Sequence, residues 1–379
     1  MKVGILTLPL HSNFGYLMQA YALQVVVKKL GHQPYTIYIK EEPTPYKRRV
    51  LNAVKRLIKN LVYKTDYKVL PYYPTASDYI YKDKNTWDFI KRHLSLSTYV
   101  NVDTKAGVEG ICEYDAYIVG SDQVWRREYA GDVCFYFFDF LKRGQKRMSY
   151  AASFGNANPT YSKTLVSACK QLISSFDIVT VRESNGISIC QRLFGIKAQQ
   201  VLDPTLLLSK SDYELLIDND VINIPKEKYI FAYILDSNPI KEQAISKFAE
   251  DKGYTVFRLL PRRLEDVGKA HIDECIYPPM STWLQAFANA QYIITDSFHG
   301  TVFSILFHKQ FSVFCNYKRG ASRIESLLKD FNLDNRLMRD EKVTSEMIDY
   351  NLVEPVLQEK RKDSITILSS FLKESNECK

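Results

Sequence analysis

The 379-residue sequence lacks several features that would narrow its chemistry at once. No Cys-x-x-Cys pair occurs, and the seven cysteines (Cys112, Cys134, Cys169, Cys190, Cys275, Cys315 and Cys378) are odd in number and scattered. That pattern suits reduced thiols better than a disulfide framework or a zinc site, so a cytoplasmic setting and no metal are expected. No apolar run approaches the ~18 residues of a membrane span. The N-terminal apolar stretch is short, holds Gly4 and Pro9, and has no small-residue cleavage site, so it reads as a first strand and not a signal peptide. Internal repeats and low-complexity tracts are absent. A large charge of one sign is missing too: 51 Lys and Arg against 43 Asp and Glu leave a net +8. The basic excess does not follow a groove-sized tract, which argues against nucleic acid as a partner.

What remains is ordinary globular composition, 46% hydrophobic and 25% charged, at a length suited to two domains. Short apolar runs alternate with helical patterns. Strands are expected at 2–7, 35–39, 115–119, 147–152, 177–181 and 198–202, with a helix over 16–30. A second series runs strand 228–235, helix 239–251, strand 254–259, helix 281–289, strand 291–295, helix 300–308 and strand 311–314, followed by a helix over 322–330. Strands spaced by helices imply βαβ units and parallel sheets. The polar, Pro225-containing stretch after Asp203-Pro204-Thr205 places a boundary near 205–225. The expected division is a first α/β domain over 1–210, a second over 225–345, and a C-terminal segment over 350–379 whose helix, about 353–374, packs back on the body.

In open α/β sheets ligands bind beyond the carboxyl ends of the strands, and three strand-to-helix loops stand out. The first, His11-Ser12-Asn13-Phe14-Gly15, opens a helix; Asn13 and Gly15 either meet an anion or sugar oxygen, or Asn13 caps the helix. The second is Gly120-Ser121-Asp122-Gln123-Val124-Trp125. Ser121, Asp122 and Gln123 offer hydroxyl, carboxylate and amide groups, and Trp125 a flat apolar face, which together suit a carbohydrate; a capped helix with a core Trp is the alternative. The third is Thr295-Asp296-Ser297-Phe298-His299-Gly300-Thr301. A His at a strand end, able to hold or give a proton near neutral pH, stands where a catalytic group belongs. The 26 Tyr and 20 Phe fit either sugar-stacking surfaces or plain compositional preference.

Several ordered segments carry a resemblance. They are Asn13-Phe14-Gly15 with Gln19-Ala20-Tyr21-Ala22-Leu23, Tyr114-Asp115 leading to Gly120 through Trp125, and Ser149-Tyr150-Ala151-Ala152-Ser153-Phe154-Gly155. Val181-Arg182-Glu183, Val201-Leu202-Asp203-Pro204-Thr205, Asp296-Ser297-Phe298-His299-Gly300 and Ser322-Arg323-Ile324 complete the set. Over nearly the whole chain the sequence resembles the polysaccharide pyruvyl transferase family. The resemblance implies two Rossmann-like domains facing a cleft, as in GT-B glycosyltransferases. It also implies transfer of pyruvate from phosphoenolpyruvate, a co-substrate and not a cofactor, onto two hydroxyls of a sugar as a cyclic ketal. Phe298 departs from the pattern, since some members carry a basic residue beside the motif's His.

Phosphoenolpyruvate carries a phosphate and a carboxylate, so fixed positive charge is required, and Arg offers bidentate geometry for both. The donor-binding set expected is Arg182, Ser297, His299, Gly300 and Arg323. The acceptor-binding set is Asn13, Gly15, Ser121, Asp122, Gln123 and Trp125. His299 is the expected general acid toward the methylene carbon, Asp122 the carboxylate that orients or deprotonates an acceptor hydroxyl, and Asp296 the residue that orients His299 or caps its helix. Two other readings stay open: a GT-B glycosyltransferase using a nucleotide-sugar, and a non-catalytic protein that binds a sugar or anion.

One feature lies outside these loops. Val50, Leu51, Val54, Leu57, Ile58, Leu61 and Val62 recur at helical spacing within residues 46–64, a segment with seven basic residues and no acidic one. Either it packs on the core with a solvated basic face, or it lies on an anionic membrane surface as a peripheral anchor. The second would suit a sugar acceptor carried on a polyprenyl-diphosphate lipid.

Overall fold

The computed structural model describes residues 1–10, 12–39, 46–63, 72–100, 111, 113–218, 224–339 and 342–373. His11, Lys64, Cys112, residues 219–223 of the expected boundary, Cys378 and the last positions of the expected C-terminal helix lie outside them.

Two parallel sheets carry the architecture. The first has seven strands in the order β3-β2-β1-β4-β5-β6-β7: β1 Lys2–Leu6, β2 Gln33–Ile39, β3 Leu96–Val100, β4 Ala116–Asp122, β5 Lys146–Ala152, β6 Ile178–Val181 and β7 Gln199–Gln200. The second has five in the order β12-β11-β10-β8-β9: β8 Tyr229–Tyr233, β9 Thr255–Phe257, β10 Tyr292–Thr295, β11 Gln310–Phe314 and β12 Leu337–Met338. Helices cover both faces of such sheets, so central strands read as continuous apolar runs and not as alternation. All of β4, β8 and β10 is buried accordingly. The fold is α/β, two Rossmann-like domains facing a cleft in the GT-B manner.

Each sheet has a point where strand order reverses. In the first it lies between β1 and β4, paired Val3 to Ala116 through Leu6 to Val119. In the second it lies between β8 and β10, paired Tyr292 to Ile230 through Thr295 to Tyr233. Crevices form at these switch points because adjacent connections leave on opposite faces of the sheet.

Some expected elements are shorter, for local reasons. The strand expected over 198–202 keeps only Gln199–Gln200. Past it the Leu202 N–H donates to Ser364 Oγ (3.0 Å) and not to a neighbouring strand. The connection from β2 to β3 also holds two helices that the sequence reading did not name, Ala76–Lys82 and Lys84–His93. The first is started by a capping box in which Thr75 Oγ1 accepts from Asp78 N while the Asp78 carboxylate accepts from Thr75 N.

The C-terminal helix Tyr350–Leu372 straddles both domains. Arg361 donates to the Leu206 and Leu208 carbonyls in the first (2.7 and 3.1 Å), and Tyr350 Oη donates to the Lys309 carbonyl in the second. Its buried Val353, Leu357, Leu368, Phe371 and Leu372 join one apolar cluster with Phe14, Tyr150, Trp283 and Phe303. Among the described residues, no helix is long and apolar enough to cross a membrane.

Candidate active site

A cleft of about 680 Å³ opens between the carboxyl ends of the two sheets. Asn13 and Tyr16 enter it after β1, and Asp122 and Gln123 at the end of β4. Leu235 and Asp236 enter after β8, Asp296, Ser297 and His299 after β10, and Arg319 and Arg323 after β11. Both switch points therefore face one cavity.

Local geometry sets each group. Asn13 caps the helix Phe14–Lys29, its side chain accepting from Tyr16 N (3.3 Å). Asp122 has φ 64°, a left-handed conformation that Asp tolerates better than most residues. This turns the chain sharply at the end of β4: the Asp122 carbonyl accepts from Val124 N (2.8 Å) and from Ser153 N (2.9 Å). His299 sits in the first turn of the helix Phe298–Leu306, capped by Ser297 Oγ, which accepts from Gly300 N (3.3 Å). The positive end of that helix faces the cleft and favours bound anions. Gly15 lies against His299 so closely that a Cβ there would stand 2.1 Å from Nδ1. The first domain thus leaves an atom out so that the second domain's imidazole can enter.

Beneath the cleft runs a buried ion network. Arg182 Nη2 donates to Asp122 Oδ1 (2.8 Å) and Nη1 to Asp203 Oδ2 (2.7 Å). Arg323 Nη1 donates to the same Asp122 oxygen at 3.3 Å. Asp203 also accepts from Ser121 Oγ (3.1 Å) and from Thr205 N and Oγ1 (3.0 and 2.6 Å). Its Oδ2 lies 3.8 Å from His299 Nε2. The Phe298 ring covers the Arg182 guanidinium at 4.1 Å from its centroid, a cation–π contact that shields the charge.

Burial governs protonation at these groups. It pushes His299 below its ordinary value; Asp203 and Asp122 pull the other way without cancelling it. The resting imidazole is thus neutral at pH 7. Burial alone would raise Asp203, but Arg182, His299 and Thr205 outweigh it and hold the carboxyl below the usual range. Burial lowers Arg323 too, and the neighbouring Arg182 lowers it further. For Arg182, Asp122, Asp203 and Glu183 together overcome burial and raise it. Three buried atoms of cleft-lining residues have no hydrogen-bond partner among the described residues: Asp122 Oδ2, His299 Nε2 and Arg323 Nε. In an active site such atoms are the ones left for substrate.

A second charged group lines the opposite wall. Arg319 grips Asp236 with Nε at 2.5 Å and Nη2 at 3.1 Å, holding that carboxyl at about 2. Asn316 Nδ2 bridges Asp236 and Asp296 (2.8 and 3.0 Å), and Lys241 Nζ donates to Asp296 at 2.6 Å. Arg263 stands at the rim without an ion pair among the described residues. No group of three or more His, Cys, Asp or Glu among them is arranged to hold a metal ion.

The ordered motifs meet here, and the sequence matches the polysaccharide pyruvyl transferase family over residues 13–317. The chain belongs to that family. Among curated proteins, no match was found. Of solved structures, the UDP-GlcNAc 2-epimerase of Neisseria meningitidis bound to UDP-GlcNAc is similar at 11% identity and a TM-score of 0.48, over 98% of this chain and 99% of that one. A putative UDP-N-acetylglucosamine 2-epimerase from Listeria monocytogenes gives 11% and 0.48 over 97% and 91%. Acinetobacter baumannii MurG gives 11% and 0.40 over 98% and 99%. None of these likenesses bears on the site's chemistry.

Of the residues expected from the pyruvyl transferase motifs, Asn13, Asp122, Gln123, Ser297, His299 and Arg323 line the cleft. Others do not. Trp125 is fully buried, stacked on Phe137 at 4.8 Å between centroids, with Nε1 donating to the Tyr136 carbonyl (3.1 Å). It is a core residue and offers no face to a sugar. Ser121 is buried beneath Asp122, its N–H donating to Gln19 Oε1 (2.9 Å). Gly15 and Gly300 shape backbone; a Cβ at Gly300 would meet Thr295 Oγ1 at 2.2 Å. Arg182 has both Nη groups committed to carboxylates and borders a separate cavity of about 130 Å³. Asp296 neither orients His299 nor caps its helix; it accepts from the Leu235 and Asp236 backbone N–H groups (2.6 and 3.1 Å) besides Lys241.

The sequence reading missed Tyr16, Asp203, Asp236 and Arg319 as site residues. Asp203 and Arg319 had a signal, since both lie just past strand ends. Tyr16 reads as one more residue of a helical pattern.

Proposed function

We propose that this protein transfers the pyruvyl group of phosphoenolpyruvate onto two hydroxyls of a sugar in a cell-surface polysaccharide precursor. The observation that carries this reading is the placement of the His299 ring, with Nε2 unsatisfied, across the cleft from the unsatisfied Asp122 Oδ2. A group that holds a proton and a group that takes one then flank a single reaction space.

The chemistry balances with these two groups. His299 gives a proton to the methylene carbon, making it a methyl and leaving oxocarbenium character at the central carbon. One sugar hydroxyl adds there, losing its proton to Asp122. Asp122 passes that proton to the phosphate oxygen as the C–O bond to phosphate breaks, a second hydroxyl adds, and its proton restores His299. Sugar diol and phosphoenolpyruvate thereby become ketal and inorganic phosphate, with no oxidant or metal in the balance. The resting His299 is neutral, so it must gain its proton with the donor bound, whose negative charge favours the imidazolium. Arg323 and the N-terminus of the helix Phe298–Leu306 supply the nearby positive field, and Arg182 positions Asp122.

The test is incubation with phosphoenolpyruvate and candidate sugars, free, nucleotide-linked and lipid-linked, followed by mass spectrometry. A pyruvate-ketal mass gain with matching phosphate release is expected. Thermal stabilisation by UDP- or GDP-sugars but not by phosphoenolpyruvate, without a ketal product, would replace this reading by glycosyl transfer.

A further inference from the structure

The helix Tyr46–Tyr63 has an apolar face that nothing in the described structure covers. Val50, Leu51, Val54, Leu57, Ile58, Leu61 and Val62 are all exposed, from 47% at Leu57 to 75% at Leu61. At 100° per residue these seven fall within an arc of about 140°. Of the basic residues, Lys55 and Arg56 fall on the remaining arc. Among the described residues no other element packs broadly against this helix. Packing on the core, one of the two alternatives, is not seen among the described residues. A contiguous apolar stripe of this length in water marks an interaction site.

We propose that this helix docks the protein on an anionic lipid surface, with the apolar stripe in the acyl-headgroup boundary and the basic arc against lipid phosphates. Three observations select this occupant. Seven basic residues and no acidic one lie in 46–64, so the segment holds nearly all of the net +8. That charge opposes a second copy of the same face, because pairing two would bring like charges together. The helix also lies in the connection leaving the carboxyl end of β2, on the sheet edge that carries the cleft loops. The same connection reaches the cleft's flank further on: Lys82 Nζ donates to Ser12 Oγ (3.2 Å) and Asn85 Nδ2 to the Tyr277 carbonyl of the second domain (2.8 Å). Docking by this helix puts the bilayer on the cleft's side of the first domain. A sugar attached to a membrane lipid could then reach it. The docking itself does not depend on the transfer reaction.

Flotation of the full chain with phosphatidylglycerol/phosphatidylcholine vesicles and with pure phosphatidylcholine vesicles tests this. Flotation with the anionic vesicles, reversed by high salt, is expected. Lys55→Glu with Lys59→Glu should weaken it by about a hundredfold. Leu57→Glu with Leu61→Glu should abolish it while leaving the melting temperature and turnover of a soluble acceptor unchanged, since both side chains are exposed already. No flotation with either vesicle, or equal flotation with both, overturns the proposal. So does a dimer, seen by sedimentation, that the Leu57/Leu61 variant disperses while vesicles capture nothing.

Discussion

On the first-domain side of the cleft, Asp122, Arg182 and Asp203 are almost wholly withdrawn from water, and each charge has a partner within 3 Å. On the second-domain side, Arg319 and Asp236 make an equally short pair while about a third of each side chain stays exposed. Both are Arg–carboxylate pairs, yet they serve different ends. A buried pair cannot change partners without stranding a charge in low dielectric, so it fixes geometry. A half-exposed pair gives up little on opening, so its Arg can turn to a substrate anion. Arg182 is thus a strut for Asp122 and Asp203, and Arg319 a hand held loosely at the cleft wall.

Arg182→Met puts the largest strain on that contrast. It leaves buried Asp203 without its cationic partner and Asp122 with Arg323 alone, and should cost about 3–5 kcal/mol of stability, read by urea unfolding, with activity lost alongside. If it unfolds no more easily than Arg319→Met, the strut does not exist. Next comes His299→Gln, expected to lower turnover by about 10²–10⁴-fold with the unfolding curve unmoved. The pH profile gives the sign. The acid must be protonated, and burial holds free His299 below its ordinary value of 6.5, so kcat/KM should fall as pH rises through that lowered value. In the donor complex the same limb, now in kcat, should move to higher pH. In His299→Gln both limbs should vanish.

Gly15→Ala sharpens the comparison from the domain interface. Its Cβ would displace the imidazole, and misplacement of this size costs roughly 10²-fold in turnover. The smallest effect is expected for Arg319→Met. Stability should change by less than about 1 kcal/mol, while KM for phosphoenolpyruvate should rise about tenfold, equivalent to about 1.4 kcal/mol. An unchanged KM would return Arg319 to a structural role.

Much of the scaffold is legible in the sequence. β1, β4, β8 and β10 are continuous apolar runs ending in polar loops, and such runs have few alternatives to a buried parallel strand. The three loops named from the sequence do open on the cleft, because strand ends are where a parallel sheet exposes side chains to ligand. Trp125 was misread for a definite reason. Its spacing after Asp122 suits either a sugar platform or the core, and only packing against Phe137 decides. Arg182 was misplaced in the same way. A lone Arg past a strand looks available until Asp122, 60 positions before it, and Asp203, 21 after it, are found on its guanidinium.

The two long amphipathic helices mark where that legibility stops. Residues 46–64 and the C-terminal helix both show apolar side chains at helical spacing. Tyr350–Leu372 buries its stripe across both domains, whereas Tyr46–Tyr63 leaves its own in water. By itself the sequence determined the two-domain α/β architecture, the family, and the loops that must converge. Those follow from local periodicity, which a chain carries along its length. Tertiary structure alone decided which Arg is neutralised, which aromatic faces the core, how closely Gly15 lets His299 approach, and which stripe goes uncovered. These depend on groups tens to hundreds of residues apart sharing one low-dielectric volume, and no local pattern encodes that.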